Sequence, residues 1–228
     1  MRPAAIALGL LALLAGSVPG EAQIVGTTSL ITIPVADMPP DGTITVGGGF
    51  VDKRYSEYLN GRADYTPVYL SVEFLPFLEL AFRFSRPVNL DDRQRLGDRM
   101  VSARLRLLNE TPRRPAILVG AHDFLTVKDS NHFHALYIVG SKHFQSFIPI
   151  GLHLGYGSNV LDARAYQFVG VFGGISLTVV EQGELLVEYD ADRFSAGIRY
   201  ELLDRFRVLL ALQGLDSIIA GASMNVRL

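Results

Sequence analysis

Residues Ile148 to Tyr156 read IPIGLHLGY. Ile148, Ile150, Leu152, Leu154 and Tyr156 alternate with Pro149, Gly151, His153 and Gly155. Successive side chains of an extended strand point to opposite faces, so this stretch has one apolar face and one face of glycine and histidine. The pattern recurs along the chain. Leu78, Leu80, Phe82 and Phe84 alternate with Glu79, Ala81, Arg83 and Ser85; Val101, Ala103, Leu105 and Leu107 alternate with Ser102, Arg104, Arg106 and Leu108. The template gives about twelve strands, near 43–51, 65–75, 78–86, 98–108, 115–124, 134–142, 147–156, 167–179, 183–190, 193–200, 205–213 and 216–228. Segments 115–124, 134–142 and 167–179 have blurred faces.

The links have a rhythm of their own. Those after odd-numbered strands are long and polar (52–64, 87–97, 125–133 and 157–166), while Pro76-Phe77 and Glu181-Gln182 are tight turns after even-numbered ones. Long loops at one end and short turns at the other fit an outer-membrane barrel, with the mature termini and the short turns in the periplasm. The rhythm weakens near the C-terminus, where Asp190-Ala191-Asp192 makes a tight turn at the outer end.

Alternation alone fits a soluble barrel equally well, so the character of each face decides. The polar face is rich in glycine, arginine and histidine, as at Gly47, Gly49, Arg83, Arg104, Gly151 and His153. Glycine suits crowded or curved walls, and arginine pairs with carboxylates across a narrow lumen. The apolar face carries large side chains: Leu185, Val187 and Tyr189 on one strand, Phe206, Val208, Leu210 and Leu212 on another. The chain ends on alternating Met224, Val226 and Leu228, similar to the C-terminal signal read by the barrel-assembly machinery, which usually ends in an aromatic residue. Tyr156, Tyr189, Tyr200, Phe206 and Phe50 near strand ends suit an interfacial girdle. The fold expected is therefore all-β, a single antiparallel transmembrane β-barrel with a short N-terminal arm.

Composition agrees. The 228 residues suit one domain, and 49% hydrophobic against 19% charged is more apolar than an ordinary soluble domain. A net charge of −2 gives no electrostatic reason to expect nucleic acid. The absence of cysteine excludes disulfides, thiolate metal sites, cysteine nucleophiles and a lipid-anchor cysteine. Arg2, the apolar run Ala4 to Ala15 and the small residues around Glu21 read as a signal peptide cleaved after Ala22, the run being too short to span a bilayer. The expected division is a signal peptide at 1–22, an arm at 23–42 and a barrel at 43–228.

If the hairpin turn centres on Ala191-Asp192, Glu184 faces Arg199 and Asp190 faces Arg193, each such pair stabilising by about 0.2–1 kcal/mol. Candidate lumen-lining residues are Glu79, Arg83, Arg104, Arg106, His153, Glu184, Glu188, Arg193, Arg199 and Arg207. In the arm, Pro34, Pro39 and Pro40 oppose a sheet strand and Asp41-Gly42 signals a turn. Two readings of it stand open: an ordered N-terminal arm, or a segment tucked into or under the barrel that blocks or gates it. Its candidate residues are Gly26, Leu30, Pro34, Asp41 and Gly42.

A search for chemistry finds no convincing catalytic constellation. His132 and His134 form an H-x-H pair able to face one way, but no carboxylate pattern supports a metal there. Ser141 or Ser176 has no spacing that ties it to a histidine as a nucleophile, and Gly47-Gly48-Gly49 lacks the strand-turn-helix context of a phosphate loop. Asn109-Glu110-Thr111 reads as a turn. No metal, no cofactor and no enzymatic activity are expected.

The stretch GTTSLITIPVADMPPDGT from Gly26 to Thr43 resembles the opening motif of the YjbH family of outer-membrane proteins linked to exopolysaccharide and capsule production. Further similarity runs through 98–110, 120–124, 139–142, 172–174 and 187–190, in order. The resemblance implies a role in secretion or surface assembly of a polysaccharide, with partners in an export apparatus and in outer-membrane lipid. Better-known members are longer, which would make this chain one barrel module of a larger plan, and some carry the anchor cysteine missing here. The expected function is a scaffold or gate in the bacterial outer membrane. The rivals are a passive small-solute channel, an outer-membrane lipid hydrolase or acyltransferase, and a soluble periplasmic barrel.

Overall fold

The computed structural model describes residues 24–55, 57–58, 61–88, 97–124, 134–160, 168–203 and 205–228. The expected signal peptide, the whole loop 125–133 with His132, most of the loop 87–97 and much of the loop 157–166 lie outside them. Twelve strands close into one antiparallel barrel. In chain order they are β1 (Thr43–Val51), β4 (Tyr65–Leu75), β5 (Leu78–Pro87), β6 (Asp98–Leu108), β7 (Ala116–His122), β8 (Ala135–Phe144), β9 (Ile150–Ser158), β10 (Gly170–Val180), β11 (Gly183–Tyr189), β12 (Phe194–Leu202), β13 (Phe206–Gln213) and β14 (Ser217–Arg227). Each pairs with its neighbour in sequence, and β1 closes the ring by pairing with both β4 and β14. The first long loop carries a 3-10 turn at Lys53–Tyr55 and a small hairpin, β2 (Glu57–Tyr58) with β3 (Gly61–Arg62), which the alternation did not predict.

Strand starts and stops follow local chemistry. Pro149 has no N–H for the ladder, so β9 begins at Ile150 rather than at Phe147. Asp123 has φ of +52° and ends β7, while Phe168 at +62° and Gly170 at +116° delay the start of β10. Asp41-Gly42 forms the expected turn into β1: Gly42 has φ of +78°, donates its N–H to the Glu73 carbonyl and accepts from Leu228 N–H.

The faces separate as a barrel in lipid requires. Leu154 is 67% exposed, with Leu152, Tyr156, Val171, Ile175, Leu185, Val187, Leu210 and Ile218 around the same outer surface. Glu79, Arg83, Arg104, Glu188 and Arg199 are buried on the inner one. A soluble barrel would put these two sets the other way round.

The interior is not wholly polar. Leu118, Tyr137, Val139, Phe172, Leu186, Leu209 and Ile219 also point inward and are buried. Gly120 and Gly155 make room for the largest of them: a Cβ at Gly120 would lie 2.2 Å from the Tyr137 ring, and one at Gly155 2.3 Å from Phe172. The partner of this inner apolar surface is the N-terminal arm. Ile24, Leu30, Ile31, Ile33, Val35 and Ala36 are each no more than 2% exposed and belong to the same cluster.

Candidate functional site

The arm runs through the barrel lumen with almost no regular structure. Among the described residues, its only ladder contact between Ile24 and Pro40 is an isolated bridge between Ser29 and Pro34, closed by a hydrogen bond from Leu30 N–H to the Ile33 carbonyl at 2.9 Å. Pro34 and the turn it closes keep the segment from joining the sheet. Its backbone groups are buried and must find partners elsewhere. The barrel wall supplies them as side chains.

Glu188 on β11 receives the tip of the turn. Its carboxylate accepts the N–H groups of Ile31 at 2.8 Å, Thr32 at 2.9 Å and Ile33 at 3.2 Å, and the Thr32 hydroxyl at 2.6 Å. Beside it on β12, Arg199 donates to the carbonyls of Ser29, at 2.8 Å, and Leu30, and to Glu184 at 3.1 Å. The ladder places Glu184 opposite Arg199 and Glu188 opposite Ser195, so two neighbouring strands hold both signs of the clamp. On the far wall Glu79 accepts Thr28 N–H at 2.9 Å and pairs with Arg104, which donates to the carbonyls of Val35 and Asp37. Both side chains of that ion pair are fully buried. Arg83 reaches the Ile24 carbonyl at 3.5 Å, and Ser141 accepts Ala36 N–H at 2.7 Å.

Packing completes the fit. A Cβ at Gly174 would lie 2.4 Å from Leu30 Cδ2, and one at Gly49 2.8 Å from Ile24 Cδ1, so wall glycines leave space for arm side chains. Gly26 turns at φ +94° beside Arg83 and Tyr69. Asp41 is exposed where the arm leaves the lumen at the short-turn end.

The sequence candidates fall into three groups. Glu79, Arg83, Arg104, Glu188 and Arg199 touch the arm directly; Glu184 and His153 support residues that do. Arg106 and Arg207 lie at the short-turn rim, where Arg106 donates to the Pro76 carbonyl and Arg207 pairs with Glu201. Arg193 stands in the turn after β11 with its guanidinium on Asp192, and Asp190 spends a carboxylate oxygen on the N–H groups of Asp192, at 3.0 Å, and Arg193, at 2.8 Å. Burial pushes the Asp190 carboxyl above its ordinary range. Sequence reasoning missed Ser141 as an arm contact, Asp37 as its foot, and Glu73, which is buried directly opposite Glu79. The alternation Tyr69, Ser71, Glu73 was enough to place Glu73 on the inner face.

At the foot of the arm, Asp37 meets two histidines of the wall. Asp37 Oδ2 lies 3.5 Å from His143 Nε2 on β8 and 3.9 Å from His153 Nδ1 on β9. Glu110, in the turn after β6, receives His143 Nδ1 at 2.7 Å, His143 N–H at 2.9 Å and Lys142 Nζ at 2.7 Å. Burial alone would raise the Glu110 carboxyl, but the hydrogen bonds from Lys142 and His143 together outweigh it and bring it down to about 2. Among the described residues two serine–histidine contacts occur, Ser141 with His153 at 2.8 Å and Ser102 with His122 at 3.0 Å. Each serine oxygen also receives a backbone N–H, from Ala36 and from Asp123 respectively.

The YjbH family model, described as exopolysaccharide biosynthesis protein YbjH, matches residues 22–205. The chain belongs to the YjbH family. That match takes in the arm and the charged side chains that hold it, from Glu79 to Arg199. Among solved structures, the KdgM porin is similar with 11% identity and a TM-score of 0.51, covering 82% of this chain and 99% of that one. An outer membrane channel from Pseudomonas putida F1 aligns with 14% identity and a TM-score of 0.45, covering 84% and 96%. The KdgM likeness is one of fold. No curated protein sequence matches the chain.

Proposed function

We propose that this YjbH-family chain is a plugged barrel of the bacterial outer membrane that serves exopolysaccharide export or surface assembly as a gate or scaffold, without catalysing a reaction. The observation that carries the reading is the arm from Ile24 to Ala36, packed and hydrogen-bonded along the lumen. A twelve-strand barrel has a narrow bore, and filling it with a peptide leaves no passage for a bulky polymer. A segment held by side chains rather than by ladder bonds is one that a partner can displace without unmaking the sheet. The apolar outer wall supports placement in lipid, and the alternation of long loops and short turns supports placing Asp37 and Asp41 at the periplasmic end.

The test is a deletion strain assayed for polysaccharide at the cell surface and in the periplasm. Loss from the surface with periplasmic build-up is expected. Unchanged amounts in both places would overturn the export role and bring the passive small-solute channel forward.

A further inference from the structure

The cluster at the foot of the arm has the make-up of a metal site, and no spacing along the chain points to it. One oxygen of Asp37 and one ring nitrogen each of His143 and His153 all lie within 4.8 Å of one another. They come from three separate pieces of chain: the arm, β8 and β9. They line a cavity of about 140 Å³ together with Gly151, Ser176 and Thr178. Two imidazoles and a carboxylate are the donor set of borderline divalent ions such as zinc, with the fourth position left to water.

Two further observations point to a ligand. His143 has Nδ1 on the Glu110 carboxylate at 2.7 Å, which fixes the ring with Nε2 facing Asp37 Oδ2 at 3.5 Å. Metal-binding histidines are held by this carboxylate–imidazole arrangement, because the carboxylate sets the tautomer and makes the free nitrogen a better donor. His153, whose side chain is 2% exposed, has Nδ1 on Ser141 Oγ at 2.8 Å, and its Nε2 is buried without a hydrogen bond. A buried imidazole nitrogen in that condition is costly unless something fills its lone pair or takes its proton.

We propose that Asp37, His143 and His153 bind one zinc-type divalent ion, which fastens the foot of the arm to the barrel wall. Zinc bonds of about 2.0–2.2 Å put tetrahedral donors about 3.3 Å apart. The 3.5 Å separation between Asp37 Oδ2 and His143 Nε2 is closed by a small side-chain rotation. His153 has its Nδ1, 3.9 Å from Asp37, on Ser141, and its ring turns to bring Nε2 to the ion. The ion enters from the short-turn end, where the His143 side chain is 36% exposed. Binding of the ion depends only on the arm lying in the lumen; its effect as a latch rests on the gate reading above.

The test is calorimetric titration of the full chain, folded in detergent micelles and stripped with chelator, with zinc chloride. One ion per chain is expected, with calcium unable to compete because the donors are nitrogen-rich. His153→Ala and Asp37→Asn are each expected to weaken binding at least 10-fold, and Glu110→Gln by about 10–100-fold because it loosens the hold on the His143 ring. Circular dichroism checks the β-sheet of each variant, and His153→Gln replaces any that does not fold. Cobalt supplies a second readout, as an intense visible band of tetrahedral coordination in the wild type that Asp37→Asn removes. No zinc heat and no cobalt band in the wild type would overturn the proposal. So would binding that Asp37→Asn and His153→Ala leave unchanged. Surface polysaccharide and conductance of the metal-free protein are separate readouts, so the plug and the ion site can fail independently.

Discussion

Glu188 shows how a single residue can hold an unstructured segment. Three consecutive backbone N–H groups and one hydroxyl converge on its carboxylate, so the tip of the arm is bound much as an anion is bound in a nest of amides, with the charge on the wall. Glu188→Ala leaves those donors buried and unpaired and is expected to cost about 3 kcal/mol. Glu188→Gln keeps an acceptor oxygen and should cost less. Urea unfolding of the detergent-folded protein reads both. Asp190 gives a pH-dependent counterpart. Its folded carboxyl is raised by burial, so the native state holds the proton more tightly than the unfolded chain. Its contribution is therefore fully present below the unfolded carboxyl range and is lost as pH rises through the folded value. Asp190→Asn keeps an oxygen for the N–H groups of Asp192 and Arg193 and has no proton to lose. Relative to that variant, the wild type is expected to lose stability between acid and neutral pH, measured by urea midpoints at a series of pH values.

At the scale of elements, the arm explains which strands were easy to read. Strands β5 and β6 alternate cleanly because Glu79, Arg83, Ser102 and Arg104 face one way and large apolar side chains the other. Strands β7, β8 and β10 are the three whose faces blur in the sequence. Leu118, Tyr137, Val139 and Phe172 point inward from them onto the apolar arm, so both of their faces are greasy. The plug thus left a mark in the sequence of the wall, visible as lost alternation, but alternation alone does not say what the second apolar face touches. The clamp residues were legible for a different reason: a charged side chain in a strand of a lipid barrel has only the lumen to face. Ser141 and Asp37 were not legible, because serine is ordinary strand filler and an aspartate in an irregular segment has no register to place it. Because the chain has no cysteine, Ile33→Cys is a clean reporter of the arm. Ile33 is fully buried, so this thiol is expected to resist a membrane-impermeant maleimide in the folded barrel and to react after unfolding. Rapid labelling of the folded protein would mean that the arm leaves the lumen.

For the molecule as a whole, two partitions are at work. The barrel separates lipid from lumen, with apolar side chains such as Leu154 and Val187 outside and buried ions inside. The arm then divides the lumen itself, packing Leu30, Ile31 and Ile33 on one part of the wall while Arg104 and Arg199 take its carbonyls. The interior is therefore packed like the core of a small soluble protein wrapped in a sheet. Whether the arm closes the barrel is read from conductance across a planar bilayer. The folded wild type is compared with Glu188→Ala/Arg199→Ala, which removes both halves of the clamp on the turn. A silent wild type and discrete channel openings in the variant are expected. Steady conductance in the wild type equal to that of the variant would contradict closure by the arm.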